Sequence, residues 1–117
     1  MNQLSDLIAP ETVLPRLSAS SRRNALQALA DTLAKAANID ARAAFDAVLM
    51  RERLSGTGMD EDVAIPHAPV IGVTRPIGAF ARLETPQDFD ALDGRAADLI
   101  FMLLSPPDKG ADHLKAL

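Results

Sequence analysis

The chain has no cysteine, no tryptophan and no tyrosine, and its four aromatic residues are all phenylalanine. Without cysteine it can form neither disulfides nor thiolate metal sites. With so few rings it offers few platforms for stacking nucleic-acid bases, and a net charge of -4 at pH 7 opposes contact with a phosphate backbone. We therefore expect no nucleic-acid partner.

Long apolar runs are also absent. No stretch approaches the roughly 18 residues of a membrane span, and the N-terminus lacks the basic and then hydrophobic segments of an export signal. We therefore expect a cytoplasmic protein. A chain of 117 residues, 48% of them apolar and 24% charged, fits a single globular domain over residues 1–117 with a real core.

Apolar residues at helical spacing predict two helices in the first half of the chain. Ser20 or Ser21 can cap a helix that runs to about Ala37, and Asp40 can cap a second helix that carries Arg51 in its last turn. Apolar runs at 63–65, 77–83 and 97–104 predict strands, the last one buried on both faces. This order predicts an α/β fold of three layers, α/β/α, with a mixed sheet.

One segment, residues 51–67, combines a helix-ending arginine with a histidine behind Ile65-Pro66. Because Pro66 fixes its own φ and favours an extended Ile65, His67 should lie on a stiff support at a strand end. A neutral imidazole has a lone pair that can attack phosphorus, and a guanidinium suits phosphoryl oxygens. Arg51 is the candidate cation and Arg53 the reserve. The alternative is a surface or capping histidine without chemical function.

His113 is the only other histidine and follows the loop at 105–110. If it begins a helix, the amides and the macrodipole there would favour an anion. It could equally be an ordinary residue in the first turn of a helix. Thr57 could add a hydroxyl contact to a phosphoryl group. The three adjacent acids at 60–62 fit a solvated turn better than a metal site, because they cannot all face one ion.

Several ordered motifs identify a family. They are R-E-x-L (51–54), T-G (57–58), A-I-P-H (64–67), L-E-T-P (83–86), F-D-A-L-D-G (89–94), D-L-I-F-M-L-L (98–104) and H-L-K-A-L (113–117). With them the whole chain resembles the IIA domain of the fructose/mannitol class of the bacterial phosphoenolpyruvate-dependent phosphotransferase system. It looks most like the free-standing nitrogen-regulatory IIA proteins.

The resemblance implies that His67 accepts a phosphoryl group from an HPr-like phosphocarrier protein. It also implies that Arg51 and His113 line the same site, and that no metal or organic cofactor takes part. Partners would be regulatory target proteins or a separate IIB component. Two features depart from the family pattern. Ala68 replaces the usual glycine, which would strain a left-handed backbone, and the family's C-terminal helices are missing, which would leave an apolar patch that promotes self-association.

Three hypotheses follow. The favoured one is a phosphoryl carrier that acts through His67, with a regulatory output or, alternatively, as a sugar-transport IIA component. The second is a docking module that keeps the fold but takes no phosphate, for which Ala68 and the short C-terminus speak. The third, a metal hydrolase with two histidine ligands, needs a third ligand that the sequence does not identify.

Overall fold

The computed structural model describes residues 8–54, 58–59, 63–89 and 96–107. A 3-10 turn at Pro10–Thr12 leads into the main elements. In chain order these elements are β1 (Val13–Leu17), α1 (Arg22–Ala37), α2 (Ala41–Leu54), β2 (Gly58–Met59), β3 (Val63–Ala64), β4 (His67–Pro69), β5 (Ile77–Gln87) and β6 (Ala97–Ser105). Within the described ranges, no helix is long and apolar enough to cross a membrane.

The two helices begin and end where the sequence predicts. The Ser21 hydroxyl caps α1 by accepting a hydrogen bond from the Asn24 amide at 3.1 Å. Asn38 ends α1 in the left-handed conformation, with φ 57°, which asparagine adopts more readily than most residues. Asp40 accepts a hydrogen bond from the Arg42 amide at 3.3 Å, at the start of α2. Local capping therefore fixes both ends of α1 and the start of α2.

The sheet is mixed, in the order β1-β5-β6-β3-β2, and β4 also pairs with β6. β5 and β6 are antiparallel at the centre, while β1 runs parallel to β5 and both β3 and β4 run parallel to β6. This arrangement confirms the predicted α/β class and mixed sheet. β5 is longer than predicted, because it continues through the L-E-T-P motif to Gln87.

β3 and β4 lie one after the other along the same side of β6. Val63 pairs with Leu99, and His67 pairs with Leu103. The ladder is interrupted at Pro66, which has no N–H to donate, yet the Pro66 carbonyl still accepts from the Leu103 amide at 2.9 Å. The segment that leads to His67 is therefore held against the central strand.

The two faces of the sheet differ in what covers them. One, the helix-covered face, packs against α1 and α2 in a single core and consists of buried residues: Ala64, Ala68, Ala79, Ala81, Leu83, Ile100, Met102 and Leu104. The register places the alternate residues on the opposite side, which we call the second face: Val63, His67, Gly78, Phe80, Leu99, Phe101 and Leu103.

Most side chains of the second face are only half-buried. The prediction that β6 is buried on both faces therefore holds for its last four residues and is wrong for Asp98, Leu99 and Phe101. The helix predicted around His113 lies outside the described residues.

Candidate functional site

His67 is the first residue of β4 and lies, half-buried, at the edge of the second face. The residue before it, Pro66, is buried, and the residue after it, Ala68, is only 2% exposed. With both neighbours fixed in the packed interior, the backbone that carries the imidazole has little freedom. The sequence predicted His67 at the end of a strand over 63–65. In the structure that strand ends at Ala64, and His67 begins a strand of its own.

The imidazole is oriented by a hydrogen bond within its own segment. His67 Nδ1 lies 2.8 Å from the Ile65 carbonyl oxygen. Because a carbonyl can only accept, Nδ1 must carry the proton and donate it. In the neutral ring the lone pair is then on Nε2. The sequence left open which nitrogen of His67 would be modified. If His67 is the acceptor that the sequence predicts, Nε2 is the nitrogen that would react.

Arg51 lies, half-buried, in the last turn of α2, and this helix packs against β4. The elements that carry Arg51 and His67 are therefore neighbours. Arg53 is exposed and lies about 200° further around the helix from Arg51, on the wall of a separate cavity next to Arg23. Arg51 is accordingly the better of the two candidate cations.

Three of the predicted site features fall outside the described residues. They are the second histidine, His113, the hydroxyl of Thr57, and the acidic turn at 60–62. Their relation to His67 stays a prediction. Within the ranges that the structure covers, no group of three or more histidine, cysteine or acidic side chains is arranged to hold a metal ion.

The alanine that replaces the family's usual glycine causes no backbone strain. Ala68 lies within β4 and pairs with Leu104. Among the described residues, positive φ angles occur only at Asn38 and Gly72. The methyl group of Ala68 is part of the core beneath the helices. The expectation that this substitution could strain or shift the site therefore does not apply.

Sequence reasoning missed one charged group near the site. Glu52, the second residue of the R-E motif, is buried and pairs with Arg22 of α1. A signal was available, because Phe45, Val48 and Glu52 follow helical spacing and place an acid on the buried side of α2. An acid in that position requires a partner in the interior.

Residues 6–117 match the family model described as "Phosphoenolpyruvate-dependent sugar phosphotransferase system, EIIA 2". A nitrogen regulatory protein of Bradyrhizobium diazoefficiens is 46% identical over 114 residues, which are 97% of this chain and 74% of that protein. The crystal structure of the nitrogen regulatory protein IIA-Ntr from Neisseria meningitidis superimposes with a TM-score of 0.87 at 30% identity, covering 94% of this chain and 75% of the other.

The Escherichia coli IIA mannitol protein, in its complex with phosphorylated enzyme IIB, shares the fold with a TM-score of 0.75 at 18% identity. The match covers 93% of this chain and 78% of the mannitol protein's chain. The fold, the motif order and the family model agree. The chain belongs to the EIIA type-2 family of the phosphotransferase system, and its relatives include nitrogen-regulatory IIA proteins.

Proposed function

We propose that this chain is a phosphoryl carrier whose acceptor atom is Nε2 of His67. The observation that carries the proposal is the hydrogen bond from Nδ1 to the Ile65 carbonyl, which puts the lone pair on the other ring nitrogen. In the reaction, that lone pair attacks the phosphorus of a phosphohistidine on an HPr-like phosphocarrier protein. The new N–P bond forms as the donor's N–P bond breaks, and the electron pair of the broken bond stays on the donor's ring nitrogen. The proton of His67 stays on Nδ1, which donates it to the Ile65 carbonyl in a hydrogen bond.

The charge of the transferred group requires cations. A phosphoryl group carries close to two negative charges, and positioning with charge stabilisation supplies most of the rate in such transfers. Arg51 provides a permanent, forked donor from the helix beside β4. We propose His113 as the second group in this role, because the H-L motif that contains it is one of the motifs shared with the family.

The proposed output is regulatory. The family membership supports exchange with the phosphocarrier, and the nitrogen regulatory relatives support a signal that other cytoplasmic proteins read according to the phosphorylation state. The E. coli mannitol protein of the same fold forms a complex with a phosphorylated IIB enzyme. A separate IIB component is therefore the alternative partner, and sugar transport the alternative output.

Intact-mass measurement tests the carrier function. The protein is incubated with phosphoenolpyruvate, the first enzyme of the relay and the phosphocarrier, and the mass is compared for the wild type, His67→Ala and Pro69→Ala. Pro69 is an exposed residue of the same strand and serves as the matched control. We expect an acid-labile gain of one phosphoryl group in the wild type and in Pro69→Ala, and none in His67→Ala. No gain in the wild type would favour the docking module.

A further inference from the structure

Glu52 occupies a position that is unfavourable for a carboxylate. It lies in the last turn of α2, where the helix dipole favours cations, and its side chain is only 2% exposed. A buried charge is tolerated only when it is paired and hydrogen-bonded. The contact that pairs Glu52 therefore ties the last turn of α2 to the residue that provides it.

That contact is Arg22. Its Nη2 donates to the Glu52 carboxylate across 30 residues of sequence. The same guanidinium lies over the ring of the buried Phe89, 5.2 Å from the ring centroid. A second link between these segments is the hydrogen bond that the side-chain Nε2 of Gln87 donates to the Ala19 carbonyl at 3.2 Å. Arg22 thus joins the start of α1, the end of α2 and the segment that follows β5.

Arg51 directly precedes Glu52 in this turn. Consecutive helical residues are separated by about 100° around the axis and 1.5 Å along it. When Glu52 is fixed toward the interior, the direction of Arg51 is fixed as well. The helix ends at Leu54, only two residues later, so little further helix holds this turn in place.

We propose that Arg22, acting through Glu52, is a positioning residue that directs Arg51 toward the phosphoryl group on His67. This inference rests on the proposed function. Neither Arg22 nor Glu52 takes part in the transfer itself. Their ion pair fixes the turn of α2 from which the cation of the site extends, and small misplacements of such groups reduce rates strongly.

A double-mutant cycle on the transfer rate tests the proposal. Phosphoryl transfer from the phosphorylated carrier is timed by rapid quenching for wild type, Arg22→Ala, Arg51→Ala and the double variant. We expect Arg22→Ala to slow transfer by about tenfold. In the Arg51→Ala background the same change should have almost no further effect. If Arg22→Ala slows transfer by the same factor in the wild-type and the Arg51→Ala backgrounds, Arg22 has a general structural role and the proposal is overturned.

Arg23 provides the matched control. It follows Arg22 in α1, and its guanidinium lies over the Phe45 ring, 5.1 Å from the centroid. Its side chain has the same charge but points elsewhere. Arg23→Ala should therefore leave the transfer rate within about twofold of wild type. Because an arginine fork holds a carboxylate better than an ammonium, Arg22→Lys should restore only part of the rate.

A second readout does not depend on phosphorylation. The Arg51 Nε–H group is followed by 15N relaxation NMR in wild type, Arg22→Ala and Arg23→Ala. We expect that group to become more mobile on the picosecond-to-nanosecond timescale in Arg22→Ala only. The two proposals can fail separately. If the wild type accepts no phosphoryl group but the Arg51 side chain still becomes more mobile in Arg22→Ala, the proposed function fails while the positioning contact stands. Unchanged mobility in Arg22→Ala would overturn the positioning role.

Discussion

The helix-covered face and the second face of the sheet perform different tasks. The first is lined by small and aliphatic side chains, almost all of them fully buried against α1 and α2. The second has half-buried aromatic residues, Phe80 and Phe101, and the half-buried His67 at its edge. Within the described residues, the close-packed core lies on one face, and the candidate acceptor His67 lies on the other. The boundary passes between His67 and Ala68, whose side chains point to opposite faces.

The largest effect on stability is expected under the helix-covered face. Leu29→Ala removes a fully buried side chain of α1 and should lower the free energy of unfolding by about 2 to 5 kcal/mol, because it leaves a cavity. Leu54→Ala, at an 80% exposed position, is the control and should change it by less than about 0.5 kcal/mol. Urea titration measures both. Equal effects would mean that the helices do not cover a close-packed core.

A smaller effect is expected on the second face. A Cβ atom added at Gly78 would lie 2.6 Å from the Phe101 ring, so the ring must move. We expect Gly78→Ala to lower the free energy of unfolding by about 1 to 3 kcal/mol. In a Phe101→Ala background the same change should be nearly neutral, since the obstructing ring is gone. Additive effects of the two substitutions would show that the ring does not pack on Gly78.

The smallest effect tests the boundary between the faces. Ala68→Gly restores the family's usual residue, removes a buried methyl group and adds backbone freedom, and should lower the free energy of unfolding by about 0.5 to 1 kcal/mol. It should leave the phosphoryl-transfer rate unchanged, because Ala68 already has an extended backbone. A faster transfer in Ala68→Gly would contradict the separation of stability from chemistry at this boundary.

Sequence reasoning succeeded where the determinants are local. Helical spacing, the Ser21 cap and the left-handed Asn38 lie within a few residues of the boundaries that they define. The Ile-Pro-His order likewise predicted an extended backbone at this point, because the constraint of Pro66 acts on its immediate neighbours.

Sequence reasoning failed where the partners are distant in the chain. The Arg22–Glu52 ion pair joins residues 30 positions apart, and no local pattern selects one arginine over its neighbour Arg23. The half-exposure of Leu99 and Phe101 was also missed, because a continuous apolar run does not reveal which face of a strand is covered.

In the proposed carrier, Nδ1 of His67 carries the ring proton and donates it to the Ile65 carbonyl, which leaves Nε2 as the acceptor of the phosphoryl group. Two-bond 1H–15N correlation NMR on the 15N-histidine-labelled protein, before and after incubation with the relay, measures the state of each ring nitrogen. We predict a protonated Nδ1 in the neutral ring and a phosphoryl group on Nε2. A phosphoryl group on Nδ1, or a neutral ring with its proton on Nε2, would contradict the account.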